Sequence, residues 1–334
     1  MVRNRYNKIL RGGAAAVLVA ALLVLSGGRA ASASPASVTY KDKLGRSVTV
    51  PVPVKRAVFL ISYELVPVLG VWDRVAGVGR WAYDNDLMKA AKPDIRSIPS
   101  VGNGTDINME ALLRLKPDLV ITWTFKPELV RFMEERGLPV IAIYPESLSE
   151  LYDVMRLHGR LFQREARVER AIGEMEGLFR IIRERVGHIP EGRRKKVLHI
   201  GTKPTSVSGA VGITNEMITL IGAHNPASVL RQRNIDVPIE KIIAWNPDVI
   251  VIWGNARYGA SDLTGDPQWR LIPAVRKGQV YKAPEWSTWS PRLAPVTLWM
   301  AAVTYPERFR DVDMDKVVDG FDRKVFGVSG KGWH

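Results

Sequence analysis

"MEALLRLKPDLVIT" occupies residues 109–122, and "IEKIIAWNPDVIVI" occupies 239–252, an offset of 130. Both copies place a glutamate second, run through a short helical stretch, reach Pro-Asp and end in an apolar, strand-like run. Each is followed at once by a tryptophan, Trp123 in the first and Trp253 in the second. The chain therefore writes one helix–turn–strand unit twice, with a carboxylate at its start and an indole at its end.

The surroundings of both copies alternate in the same way. "RAVFLIS" (56–62), "RVAGVGR" (74–80), "DLVITW" (118–123) and "LPVIAIYP" (138–145) read as strands. They are separated by the helical stretches "YELVPVLGVW", "DINMEALLRL", with Asp106 or Asn108 as cap, and "PELVRFMEERG". "KVLHIG" (196–201), "DVIVIW" (248–253) and "QVYKAP" (279–284) repeat the pattern around "GITNEMITLIGA", "PIEKIIAWN" and "DPQWRLIPAVRKG". "SPRLAPVTLWMAAVTYP" reads as a helix capped by Ser290 with Pro291 in its first turn. A small hairpin is expected around Gly45. Such alternation implies an α/β fold with parallel-rich sheets covered on both faces. Between the two alternating regions, residues 148–187 read as helix. Val168, Ile172, Met175, Phe179, Ile182 and Val186 form one apolar stripe on a helix from 165 to 186. At 1.5 Å per residue it spans roughly 33 Å, about the width of a domain. The layout is lobe (38–150), helical linker with a long spine helix (151–190), and lobe (191–330).

Residues 1–34 differ from the rest. A basic start is followed by the 12-residue apolar run "AAAVLVAALLVL" and by "SGGRAASASP", with small residues in A-x-A spacing. This is the pattern of a signal peptide; an uncleaved anchor is the alternative. No Cys follows the apolar run, so a lipid anchor is not expected. The segment carries five basic residues and no acidic ones, which leaves +9 of the net charge of +14 on the remainder. That balance favours anionic ligands or surfaces. Its one dense run, "GRRKK" (192–196), reads as a solvated loop, so nucleic acid is not an expected partner. With no Cys there is no disulfide, thiolate zinc site or Cys nucleophile.

Ligands of open parallel sheets bind beyond the carboxyl ends of the strands. Trp123 and Trp253 stand at such ends and are expected to line one cleft from opposite walls, unless each packs on its own lobe. "GRWAYDND" (79–86), "WGNARYG" (253–259) and "EWSTWSPR" (285–292) are loops at comparable positions. They supply Trp81, Tyr83, Arg257, Tyr258, Trp286, Trp289 and Arg292 as ligand-binding candidates. Aromatics offer stacking area and Arg a fixed fork of donors; loop packing or surface charge is the plainer reading of any one of them. Glu110 and Glu240, in the first turns of their helices, complement the helix dipole. Their recurrence also suits two acidic contacts for a symmetric partner.

The stretches "YELVPVLGVWDRVAGVG", "PSVGNGTDINMEALLRLKPDLVIT", "VSGAVGITNEMITLIGAHNPA", "PIEKIIAWNPDVIVI" and "SPRLAP" carry a family resemblance from about Arg56 to Arg310. The chain resembles the periplasmic substrate-binding proteins of ABC importers for ferric siderophores, haem and cobalamin. The resemblance implies two Rossmann-like lobes joined by one rigid helix, with ligand between them. It also implies docking of Glu110 and Glu240 on the arginines of a two-fold permease in the inner membrane, and places Ser208, in "SVSGAVG" (206–212), in a ligand loop.

Five histidines are scattered without ligand spacing, so no bare metal site and no cofactor are expected. Arg80, Arg257 and Arg292 suit an anionic ferric siderophore carried by a monomer in the periplasm. Haem, with Tyr63, Tyr83 or Tyr258 as conceivable axial ligands, cobalamin and an oxyanion such as molybdate are alternatives within the same family. An enzyme is disfavoured: the P-loop, G-x-S-x-G and H-E-x-x-H motifs are absent. A two-lobed metalloenzyme of the nitrogenase type would want Cys ligands. An adhesion protein would not need a cleft lined from both lobes.

Overall fold

The computed structural model describes residues 36–329; the expected signal peptide lies outside the described residues. The chain opens with the hairpin β1 (Ser37–Lys41) and β2 (Ser47–Pro51), turning at Gly45 with φ +80°. The first lobe holds β3 (Ala57–Phe59), β4 (Val75–Val78), the short antiparallel pair β5 (Gly102–Asn103) and β6 (Asp106–Ile107), β7 (Leu119–Trp123) and β8 (Val140–Ile143). Its main sheet is wholly parallel, in the order β4-β3-β7-β8. The second lobe holds β9 (Val197–Ile200), β10 (Ser206–Ser208), β11 (Asn234–Asp236), β12 (Val249–Ile252) and β13 (Val280–Lys282). Its order is β11-β10-β9-β12-β13, with β9, β12 and β13 parallel and β10 and β11 antiparallel. The antiparallel edge and the β5–β6 pair were not legible as periodicity, because each strand has only two or three residues.

The repeated unit has a structural reason in both copies. Lys116 and Asn246 adopt left-handed φ of 46° and 49° just before the proline, which ends the helices Met109–Arg114 and Ile239–Trp245. The aspartate after the proline then fixes the neighbouring strand. Asp118 accepts the backbone N–H groups of Lys55 (2.8 Å) and Arg56 (2.9 Å) at the entrance to β3, and Asp248 accepts that of Lys196 (2.8 Å) at the entrance to β9. The registers Ala57↔Leu119 and Val197↔Val249 follow. Each copy thus sets the register of the central strand pair of its lobe.

Every central strand is buried on both faces, as parallel strands under helical layers must be. Ala57, Phe59, Leu119, Ile121, Ile141, Val197, Val249 and Val251 face one continuous core. Val58, Val120, Val140 and Ala142 face a separate outer core in the first lobe, and Leu198, Ile200, Ile250 and Ile252 another in the second. The continuous core is bridged by the 22-residue helix Glu165–Val186, whose expected stripe from Val168 to Val186 is buried throughout. Helix Leu148–Phe162 precedes it, and helices Leu293–Thr304 and Met314–Phe326 pack on it. The fold is therefore two α/β lobes with parallel-rich sheets, joined by one long helix. The last helix begins at Leu293 rather than at Ser290: the Ser290 hydroxyl takes the N–H of Arg292 (3.1 Å) and donates to Glu64.

Buried His158 gives the fold an acid limit. Its Nδ1 lies 2.7 Å from the Val154 carbonyl, and its Nε2 has no partner among the described residues. Burial lowers its pKa from 6.5 to about 4. A depressed histidine pKa means that the unfolded chain binds the proton first, so stability is lost as pH falls from 6.5 to about 4. The loss amounts to about 3 kcal/mol. Urea melts of His158→Leu are expected to show a flatter acid limb than the wild type; parallel limbs would place the sensitivity elsewhere.

Candidate functional site

The carboxyl ends of both sheets converge on two adjoining cavities. The larger, about 300 Å³, is lined by Tyr144–Glu146 beyond β8, by His199, Gly201 and Thr202 at the end of β9, and by Trp253 and Gly254 beyond β12. Ser208, Gly212–Thr214, Arg233, Asn234, Trp286 and Thr288 complete much of its wall. The smaller, about 130 Å³, is lined by Ile61–Glu64 beyond β3, Trp81, Trp123 and Ser287, Trp289 and Ser290. Tyr144 of the first and Trp289 of the second meet edge to face at 4.6 Å, so the cavities share a wall.

In the larger cavity the chain presents donors. Gly212, at φ +105°, turns the backbone into the helix Ile213–Leu220, whose N-terminus has no side-chain cap. An uncapped helix start leaves N–H groups free for an anion. Asn225 Nδ2 lies within 3.1 Å of the carbonyls of Ser208 and Gly209 and of Asn215 Oδ1, which shapes this loop. His199 Nδ1 and the Ser208 hydroxyl are 2.9 Å apart. Burial lowers the His199 pKa to about 4, so its imidazole is neutral at neutral pH. Arg233 stacks over the Tyr144 ring (4.1 Å) and pairs with Glu146, which Lys43 also holds at 2.8 Å. The pair ties the second lobe to the first across the mouth of the cavity. Its two cations pull the Glu146 carboxyl below its usual range against the burial that raises it.

The smaller cavity is aromatic and acidic. Trp81 and Trp123 lie 5.5 Å apart at 60°, and Trp123 and Trp289 lie 6.5 Å apart at 89°. The Trp123 indole donates to the Gly104 carbonyl (3.0 Å), and a Cβ at Gly104 would stand 2.6 Å from the ring. Glu64 accepts from Asn85 Nδ2 (2.7 Å) and from the Ser290 hydroxyl. Behind it, Arg292 is 3% exposed and holds Asp86 with both terminal nitrogens at 2.6 and 2.8 Å. Glu64 and Asp322 lie 4.0 and 3.9 Å from the same guanidinium.

Arg292 therefore corrects the sequence expectation: it is an internal counter-ion between carboxylates of both lobes, and lines neither cavity. Its guanidinium also sits 4.6 Å from the Trp286 ring. Tyr83 and Tyr258 line neither cavity; their hydroxyls donate to the carbonyls of Ile98 (2.6 Å) and Gly201 (2.8 Å). Arg257 is exposed and also lies outside both linings, and Arg80 sits at the surface 3.9 Å from Asp106. Trp81, Trp123 and Trp289 come together at the smaller cavity, and Ser208, Trp253 and Trp286 at the larger. Glu110 and Glu240 are exposed. In the first unit the Trp123 indole, at the end of its strand, donates to the carbonyl of Gly104, which lies upstream of the helix that carries Glu110.

Sequence reasoning missed Arg233, Glu146, Tyr144 and His199. Arg233 lies in "RQRN" and Glu146 in "PES", with no periodic signal to separate them from ordinary loop charges. Among the described residues no group of His, Cys, Asp and Glu could hold a metal ion, and no helix is long and apolar enough to cross a membrane.

A family model described as periplasmic binding protein matches residues 57–285. The chain belongs to the periplasmic binding protein family. Membership places it among the extracytoplasmic binding proteins that serve ABC importers. The molybdate-binding protein MolA of Haemophilus influenzae is 24% identical over 87% of this chain and 91% of its own length. Its molybdate-bound structure superposes with a TM-score of 0.76 at 23% identity, over 88% of this chain and 99% of that one. The Helicobacter pylori CeuE structure with Ni-His gives 0.78 at 25% identity, over 88% and 97%.

Proposed function

We propose that this periplasmic binding protein captures a compact anionic solute in the larger cavity and delivers it to an ABC permease. The observation that carries the reading is the meeting of the Arg233 guanidinium and the uncapped helix start at Gly212–Thr214 in one cavity wall. The hydroxyls of Thr202, Ser208 and Thr214 and the neutral His199 add polar partners without adding negative charge. Backbone N–H groups and a guanidinium fork suit tetrahedral oxyanions. A volume of about 300 Å³ lies at the small end of ligand pockets. It favours an oxyanion of the molybdate class over a ferric siderophore, haem or cobalamin, and the relation to MolA supports that choice.

An anionic ferric chelate is the second reading. It is favoured by apolar surface that a bare oxyanion does not need: Trp253 is 38% exposed, Trp81 43% and Phe125 62%. Calorimetric titration with sodium molybdate, sodium sulfate and an anionic ferric siderophore separates the two. Saturable one-to-one binding of molybdate supports the first reading, binding of the chelate alone supports the second, and no binding of any anion contradicts both.

Delivery rests on the paired glutamates. Glu110 and Glu240 stand on matched first turns, one per lobe. Two such carboxylates fit paired arginines on a two-fold permease. The double variant Glu110→Ala with Glu240→Ala is expected to keep solute affinity and to lose uptake in cells; uptake at the wild-type rate would remove these residues from the docking surface.

A further inference from the structure

We propose that the smaller cavity is a cation subsite, which takes an ammonium-bearing arm of the solute between the indoles of Trp81, Trp123 and Trp289, against the Glu64 carboxylate. The inference rests on the reading of the larger cavity as an oxyanion site and narrows it: the oxyanion group belongs to a solute that also bears a cationic arm, for which molybdate is a probe of the larger cavity alone.

Three independent features of this cavity point the same way. The first is its walls. The indoles meet at 60° and 89°, as adjoining panels rather than a parallel stack. Indole faces attract ammonium groups, most strongly where water is excluded. The second is charge. Glu64, Asp86 and Asp322 share one buried guanidinium, and both terminal nitrogens of Arg292 are committed to Asp86. Glu64 is buried, yet its nearest cationic nitrogen is 4.0 Å away, and its close partners are the neutral Asn85 and Ser290. Arg292 is a counter-ion that Glu64 shares with two other carboxylates, so a cation brought against Glu64 adds stabilisation. The third is Ser62. It holds a left-handed φ of 56°, uncommon for a residue with a Cβ, and its buried hydroxyl has no partner among the described residues. Ser62 lines the same cavity, and its hydroxyl gains a partner if a bound ammonium group draws it round to face the opening.

The contrast with the neighbouring cavity gives the solute its polarity. Across the shared Tyr144–Trp289 wall lie Arg233 and the open helix N-terminus, which favour negative charge. A volume of about 130 Å³ admits a small ammonium group and excludes a bulky one.

The test uses ethylammonium chloride as probe, with ethanol as its uncharged analogue and sodium chloride at equal ionic strength. The readout is the indole N–H signals of Trp81, Trp123 and Trp289 in two-dimensional NMR. Saturable shifts with ethylammonium and none with ethanol are expected. Glu64→Gln and, independently, Trp81→Ala are expected to weaken the probe at least tenfold and fivefold. Trp81 is 43% exposed, so its truncation keeps the fold testable if Glu64→Gln does not fold. Equal shifts with ethanol, no saturation, or wild-type affinity in Trp81→Ala would overturn the subsite. Molybdate titrated into the same samples keeps the two readings apart. In the wild type, failure of ethylammonium to bind while molybdate binds overturns the subsite alone, and the converse overturns the anion reading alone.

Discussion

Replacing Arg233 by alanine lowers the affinity for an anionic solute by about ten- to a hundredfold, the worth of ~1.5–3 kcal/mol expected for one hydrogen-bonded charged partner. Among the described residues the guanidinium is the one cation in the wall of the larger cavity, and stacking on Tyr144 fixes its plane. Its present partner decides the sign of a companion variant. Glu146 occupies the guanidinium with an acceptor that an incoming anion must displace or share. Glu146→Gln removes that competing charge and is expected to raise anion affinity, while Arg233→Ala lowers it. Opposite shifts in the two titrations support a guanidinium that trades one carboxylate for the solute. Shifts in the same direction would mean that the pair acts only as a strut between the lobes.

The second large effect falls on stability. Arg292→Met is expected to cost about 3–5 kcal/mol at neutral pH, because it strips the counter-ion from buried carboxylates. Glu64 and Asp322 are both buried, and Asp86 would lose two short bonds. Burial raises the Asp322 pKa to about 6 and also raises that of Glu64. A raised carboxylate pKa means that the folded state holds the proton more tightly, so both groups are easier to keep buried as pH falls, Asp322 through about 6. The cost of Arg292→Met is therefore expected to shrink between pH 7 and pH 5 in urea melts. A constant or growing cost would show that Arg292 acts through packing on Trp286 alone.

The lobes and the spine were legible because their signals are long or repeated. The stripe from Val168 to Val186 runs through about five turns of helix, and all of its named positions are buried. The units at 109 and 239 announce themselves by Pro-Asp, but their shared cause is the strand entrances at Lys55–Arg56 and Lys196, and those partners are far away in sequence. Tryptophan positions transferred well for a related reason: a residue just beyond a strand can only stand at the sheet's carboxyl edge. Arginine positions did not. Arg292 and Arg233 look alike in sequence, and only the tertiary placement of Asp86, Glu64 and Asp322 around one, and of Glu146 beside the other in a cavity wall, separates a structural cation from one that lines a cavity. The resemblance to importer binding proteins carried the fold and the family; the solute class depends on side chains that no motif encodes.

The most direct test of the account is native mass spectrometry of the full-length protein purified from the extracytoplasmic fraction of its own host, beside Arg233→Ala prepared identically. The account predicts a one-to-one complex with a small anionic solute in the wild type and bare polypeptide in the variant. A solute retained equally by both, or none in either when the same preparation supports uptake, would contradict capture between the two lobes.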